Sequence, residues 1–244
     1  MRFRQCLALL LLAFPAARAQ DERRVVSPDG RLEFRIFVAQ PEPGALYRLG
    51  YRLLVAGKPA IETSFLGLDI HNQEPVLCEN VGLINSSAGT GDGYRWLIAN
   101  YMQNGSLGRL VNLEIRVWND GAAFRYVLPR STPLEDLLID DELTEFDLAQ
   151  ARIDTASTIP LPFVARGPGI GWVAIAEAHT AGYPQTQLFR TRGNILVTHL
   201  SPLPNDFGIS LEGHTPFTTP WRVILIGADR ERVTGSPVLN QLNR

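Results

Sequence analysis

Seven carboxylates crowd into a short stretch of this chain: Glu135, Asp136, Asp140, Asp141, Glu142, Glu145 and Asp147. Glycosidic bond hydrolysis needs such groups in pairs, across a gap of roughly 5–10 Å. Neighbours on one strand and turn do not by themselves straddle a cleft. The simpler reading is a solvated acidic edge that discourages strand-to-strand association. Glu177 stands apart, because it lies in the apolar run Val173-Ala174-Ile175-Ala176-Glu177-Ala178. An unpaired carboxylate there is costly. Its charge calls for an arginine, a solvent-exposed strand end, or a hard cation such as calcium, which takes several oxygen ligands. On a continuing strand His179 would share the face of Glu177, which makes a proton-transfer pair geometrically possible.

Other reactive residue types point to structure more than to chemistry. His71, His179, His199 and His214 have no metal-ligand spacing. Gly89-Thr90-Gly91-Asp92-Gly93 and the glycines of 167–171 read as loops, since no helix follows to complete a phosphate cradle. There is no Gly-x-Ser-x-Gly elbow, and Cys78 has no placed histidine, so it reads as a core residue. Tyr94, Trp96, Tyr101 and Trp172 can stack on sugar rings, although aromatics in a β-protein more often fill the core.

The elements that must position these residues are strands. Leu32–Val38 and Leu46–Val55 alternate apolar and polar residues, and strand-like runs recur at 172–175, 195–200, 208–211 and 223–226. Leu113–Val117 and Phe124–Val127 flank Asn119-Asp120-Gly121, residue types that tolerate positive φ in a tight hairpin. Only 133–138 and 231–242 invite a helix, and neither sustains a 3.6-residue period. The expectation is one all-β domain over 20–244, a large antiparallel β-sandwich. Residues 1–19 read as a signal peptide: Arg2 and Arg4 precede a short apolar stretch, and Ala17-Arg18-Ala19 offers a cleavage site. An exported protein, periplasmic or secreted and without a membrane span, follows. Cys78 is then the only mature cysteine, which excludes an intramolecular disulfide. A formal net charge of −2 with no dense basic cluster argues against nucleic acid as a partner.

Several segments, in order, resemble the N-terminal domain of glycoside hydrolase family 97. They are Ser27-Pro28-Asp29-Gly30, the hairpin from Tyr51 through Gly57-Lys58-Pro59 to Leu66-Gly67-Leu68, Tyr101 and Asn104, and Arg116 to Tyr126. Asp141-Glu142-Leu143-Thr144-Glu145-Phe146, Ile175-Ala176-Glu177-Ala178 with Tyr183-Pro184, and Thr219-Pro220-Trp221-Arg222 through Asn243 complete the set. The resemblance implies a supersandwich like that of galactose mutarotases, joined in the family to a catalytic (β/α)8 barrel. The family's catalytic carboxylates and most of its calcium ligands belong to that barrel, which has no counterpart in these 244 residues. No residue here is therefore expected to be catalytic. Glu177 is similar in position to a calcium-facing glutamate, so it is the expected metal-site residue, for calcium and only with a barrel partner. The resemblance thus implies an exported, non-catalytic module of a family 97-type α-glycosidase, truncated or part of a split enzyme. A stand-alone carbohydrate-binding module and a mutarotase-like enzyme are the alternatives. Between Phe146 and Glu177 the chain departs from the family, which carries a longer aromatic-rich insertion there.

Overall fold

The computed structural model describes residues 20–105, 108–134, 136–148, 151, 153, 158–204 and 208–243. The proposed signal peptide and Glu135 lie outside them. In chain order the strands are β1 (Gln20–Val26), β2 (Leu32–Ala39), β3 (Arg48–Val55), β4 (Lys58–Phe65), β5 (Leu68–Ile70), β6 (Gln73–Leu77) and β7 (Val81–Thr90). Then follow β8 (Arg95–Gln103), β9 (Leu110–Val117), β10 (Gly121–Leu128), β11 (Asp136–Glu142), β12 (Glu145–Asp147), β13 (Thr158–Pro160) and β14 (Phe163–Gly167). The last are β15 (Gly171–Ala178), β16 (Thr186–Arg190), β17 (Ile195–Leu200), β18 (Leu211–His214), β19 (Phe217–Thr218) and β20 (Trp221–Gly227). Two short helices close the described chain, α1 (Arg230–Thr234) and α2 (Val238–Leu242).

An eight-stranded sheet ordered β14-β15-β20-β10-β9-β8-β7, with β19 beside β10, forms the centre of an all-β sandwich. Every pairing in it is antiparallel. Strict alternation sends Val111, Leu113, Ile115 and Val117 of β9 inward with Phe124 and Tyr126 of β10. They meet the β1–β4 sheet, where Phe34 and Tyr51 stack with centroids 5.3 Å apart and Tyr51 lies 4.9 Å from Phe124. The opposite, outer face of β10, β15 and β20 carries Ala123, Ala174, Ala176, Trp221, Val223 and Leu225, over which Val233, Val238 and Leu242 of the helices pack. Two further four-stranded sheets, β18-β11-β5-β6 and β12-β17-β16-β13, complete the fold.

Three local expectations need correction. The hairpin between β9 and β10 forms, with the Trp118 N–H donating to Gly121 O at 2.8 Å. Its turn, however, has no positive φ at Asn119, Asp120 or Gly121. Glycine is needed at 121 for a different reason: a Cβ there would sit 2.8 Å from the Ile224 carbonyl oxygen and 2.9 Å from Leu225 Cδ2 on β20. The acidic 133–138 stretch is not helical where described; Asp136 begins β11, whose partners β5 and β18 supply the sheet hydrogen bonds. The strand expected at 208–211 instead occupies Leu211–His214, opposite β11. The C-terminal helical reading holds in broken form, as two single-turn helices separated by Gly235-Ser236-Pro237.

Candidate functional site

Glu177 meets an arginine. On β15 it is the direct cross-strand partner of Arg222 on β20. Arg222 Nη1 reaches Glu177 Oε2 at 2.6 Å. The same guanidinium forks onto Glu142, with Nε to Oε1 at 2.7 Å and Nη2 to Oε2 at 2.5 Å. Arg222 and Glu142 are fully buried, whereas the Glu177 side chain is 21% exposed. Around them, Thr144 donates to Glu142 Oε1 at 2.7 Å and the Tyr183 hydroxyl donates to Oε2 at 2.8 Å. The Tyr183 ring also lies 5.6 Å from the guanidinium carbon. Tyr126 extends the network through Thr144 at 2.7 Å. Burial alone would push the Glu142 carboxyl up; the Arg222 charge and hydrogen bonds outweigh it and hold Glu142 below the usual glutamate range. Burial and then the Glu142 charge push the Tyr183 phenol well up, so it stays a donor. Arg222 is raised, because Glu142 outweighs the burial that opposes its charge.

This geometry fixes what each group can do. Glu142 is saturated and inaccessible, so it acts as the anchor of Arg222. Glu177 shares the same arginine through one oxygen, while Oε1 makes no hydrogen bond among the described residues. Two carboxylates on one guanidinium leave the cluster one negative charge in excess. That suits a hard cation, to which Glu177 can offer a single oxygen site of the six to eight calcium takes. Among the described residues no group of three or more His, Cys, Asp or Glu can hold a metal by itself. The proton-transfer arrangement with His179 does not form: β15 ends at Ala178, and His179 is exposed with φ of 60°. Alternation therefore stops before it can bring His179 beside Glu177.

The acidic run is not one solvated edge. Besides buried Glu142, it supplies a partner for three of the four histidines: Asp140 to His71 at 2.9 Å, Asp141 to His199 at 2.5 Å and Asp136 to His214 at 3.4 Å. Burial raises the Asp141 carboxyl despite hydrogen bonds from Leu200 N–H and His199. Glu145 accepts the Phe65 N–H at 3.0 Å. Cys78 is buried, as a core thiol should be, and burial pushes it up to about 12.

The four candidate aromatics separate. Tyr101 is core and Trp172 packs partly buried against the helix side of the sheet. Tyr94 and Trp96 line a groove of about 240 Å3 on the outer face, with Ile98, Glu114, Arg116 and Arg125. The glycine run read as a loop makes room for their rings. A Cβ at Gly89 would meet the Trp96 ring at 2.5 Å, and one at Gly91 the Tyr94 ring at 2.2 Å. Arg116 lies 5.1 Å from the Tyr94 centroid and 4.7 Å from that of Trp221, and Arg125 lies 4.4 Å from Trp221. Arg125 pairs with Glu114 at 2.6 Å.

The sequence singles out Glu177 and the four aromatics but does not point to Arg222, Glu142 and Tyr183 as the partners of Glu177. Their signal was available in part, since all three sit in the segments that carried the family resemblance. Among the described residues no helix is long and apolar enough to cross a membrane.

A family model described as "Glycosyl-hydrolase 97 N-terminal" matches residues 25–156 and 150–244. Among solved structures, a glycoside hydrolase family 97 enzyme from Pseudoalteromonas sp. strain K8 bound to acarbose is similar, with a TM-score of 0.80 at 20% identity, over 91% of this chain and 38% of that one. A variant of a family 97 enzyme from the same strain, bound to panose, has the same TM-score, identity and coverage. A β-arabinopyranosidase is similar with a TM-score of 0.70 at 20% identity, over 86% of this chain and 40% of that one. At such identity the likeness speaks for the fold, and the chain spans about two fifths of these enzymes' length. No curated protein matches.

Proposed function

This chain belongs to the glycosyl-hydrolase 97 N-terminal family, and from that premise we propose that it is the exported, non-catalytic β-sandwich module of a family 97-type α-glycosidase. Its role is to present Glu177 to a calcium ion completed by a docked (β/α)8 barrel. The observation that carries this reading is the state of Glu177: one oxygen is fixed by Arg222 and the other is left at a partly exposed rim. Arg222 and Glu142 hold that carboxylate in place, and neither is accessible enough to touch a ligand. The shared negative charge favours a cation, while a single available carboxylate binds calcium only weakly without further oxygens.

Calorimetry tests the proposal. Calcium should bind this chain alone with a dissociation constant on the order of millimolar or weaker. With a family 97 barrel added, affinity should rise, and Glu177→Gln should weaken it together with calcium-dependent glycosidase activity. Tight stoichiometric binding by the chain alone, or indifference of the assembled pair to Glu177→Gln, overturns the reading.

The alternative of a stand-alone carbohydrate-binding module draws on one observation, the aromatic groove at Tyr94 and Trp96. The mutarotase-like alternative loses its support, because Glu177 is engaged by Arg222 and His179 leaves the strand.

A further inference from the structure

We propose that the groove on the outer face of the large sheet binds an acidic saccharide, a sugar ring bearing a carboxylate, with Arg116 as its anion-binding group and Trp96 as its stacking platform. The site lies on the face of the sheet opposite Arg222 and Glu177, and it stands or falls independently of the calcium reading.

Charge is the first argument. The groove holds two arginines and one carboxylate, and Glu114 is committed to Arg125 through contacts of 2.7 and 2.6 Å. Arg116 has no ion pair or hydrogen bond among the described residues; its recorded contacts are the Tyr94 and Trp221 rings. One positive charge is therefore uncompensated. Held between two aromatic faces, its guanidinium loses little further freedom on binding, and its planar fork of N–H donors matches a carboxylate.

The second argument is the platform. Trp96 is the direct cross-strand neighbour of Arg116 across β8 and β9, and of Gly89 across β7 and β8. The ring lies over Gly89, where any side chain would collide with it. A large aromatic laid against a sheet beside a cation gives the two elements an acidic sugar needs: an apolar surface for its C–H face and a fork for its carboxylate. At about 240 Å3 the groove is below the roughly 300–1,000 Å3 typical of pockets for drug-sized ligands, which suits a single sugar unit. The net charge of −2 on the whole chain gives no general attraction for anions, so recognition has to come from this local arrangement.

Titration of intrinsic tryptophan fluorescence in the full chain tests this, with trigalacturonic acid as the probe. Three comparison ligands are the same trisaccharide reduced at its carboxyls, a glutamate-rich peptide, and a neutral maltotriose. The acidic trisaccharide should bind, more weakly at higher salt, and at least about tenfold better than each comparison ligand. Arg116→Gln and Trp96→Ala should each weaken it about tenfold or more, with Arg116→Lys between wild type and Arg116→Gln. Arg230→Gln, an exposed charge in α1, should leave affinity unchanged. The proposal fails if the neutral or peptide ligands bind equally well, if trigalacturonic acid does not bind at millimolar concentration, or if folded Arg116→Gln binds as wild type does.

Discussion

Trp221 and Arg222 are consecutive residues that face opposite worlds. Arg222 points inward, fully buried, with its charge met by two carboxylates. Trp221 points outward into an aromatic layer beneath two arginines, one of which has no counter-ion among the described residues. Both faces use arginine, yet the physics differs. Inside, the charge is tolerable only because Glu142 and Glu177 neutralise it, so each member depends on the others. Outside, water and ring faces solvate the charge, and Arg116 can stay unpaired without large penalty. A buried cluster is costly to disturb, and a half-buried one is available to a ligand.

The largest effect that can break this comparison is loss of the inner arginine. Arg222→Leu leaves Glu142 buried without a counter-ion and should destabilise the domain by about 3–5 kcal/mol, read as a shift in denaturant midpoint. Acid titration of the same variant sharpens the point. In the wild type Glu142 is held low, so its stabilisation is complete above the ordinary value of 4.5 and is lost as pH falls through the depressed folded value. Asp141 is raised above its ordinary 3.8, so its contribution runs the other way, favouring the folded state as pH falls toward that value. Without Arg222 the Glu142 carboxyl should move up, and acidification from neutral pH should then stabilise the variant. A variant losing stability on acidification as the wild type does would show that Arg222 does not control Glu142.

A substitution between the faces should disturb both. Gly121→Val places side-chain atoms against the Ile224 carbonyl of β20 and should cost about 1–3 kcal/mol, with weakened saccharide binding outside. An unchanged midpoint would mean that β10 and β20 can separate without cost. The smallest effect belongs to the outer arginine: Arg116→Gln forfeits ring contacts worth about 1 kcal/mol at a half-buried site, so the midpoint should move little. A loss as large as that of Arg222→Leu would erase the distinction between the two faces.

Much of the fold was legible because buried and half-buried residues alternate along all of β9, over Leu32–Ile36 of β2 and over Phe124–Leu128 of β10. Glu177 was legible for a similar reason: a carboxylate in an apolar strand must have a partner. Which partner was not legible, because Arg222 is 45 residues from Glu177 and 80 from Glu142, and Glu142 reaches it only where the sheet of β11 meets the eight-stranded sheet. The acidic run misled since charge density carries no phase, and Glu142 points into the core while Asp136 stays in solvent. Asn119-Asp120-Gly121 announced a turn correctly but for the wrong cause. Close approach of a third strand, a long-range property, is what excludes a side chain at 121. In the same way Gly89 and Gly91 carried a meaning visible only once Trp96 and Tyr94 were placed opposite them.

The pairing of β15 with β20 runs through seven consecutive residues from Trp172–Gly227 to Ala178–Trp221 without a bulge. That unbroken ladder works like a reading frame. Inserting one residue at the start of β20 would turn the arginine to the helix-covered side and the tryptophan toward Glu142, removing both sites in one event. Inserting two would restore the phase and merely slide the strand by a pair. The identity of each face is thus held in the parity of one strand, and the sheet hydrogen bonds that keep it in step matter to recognition as much as any side chain that meets a ligand.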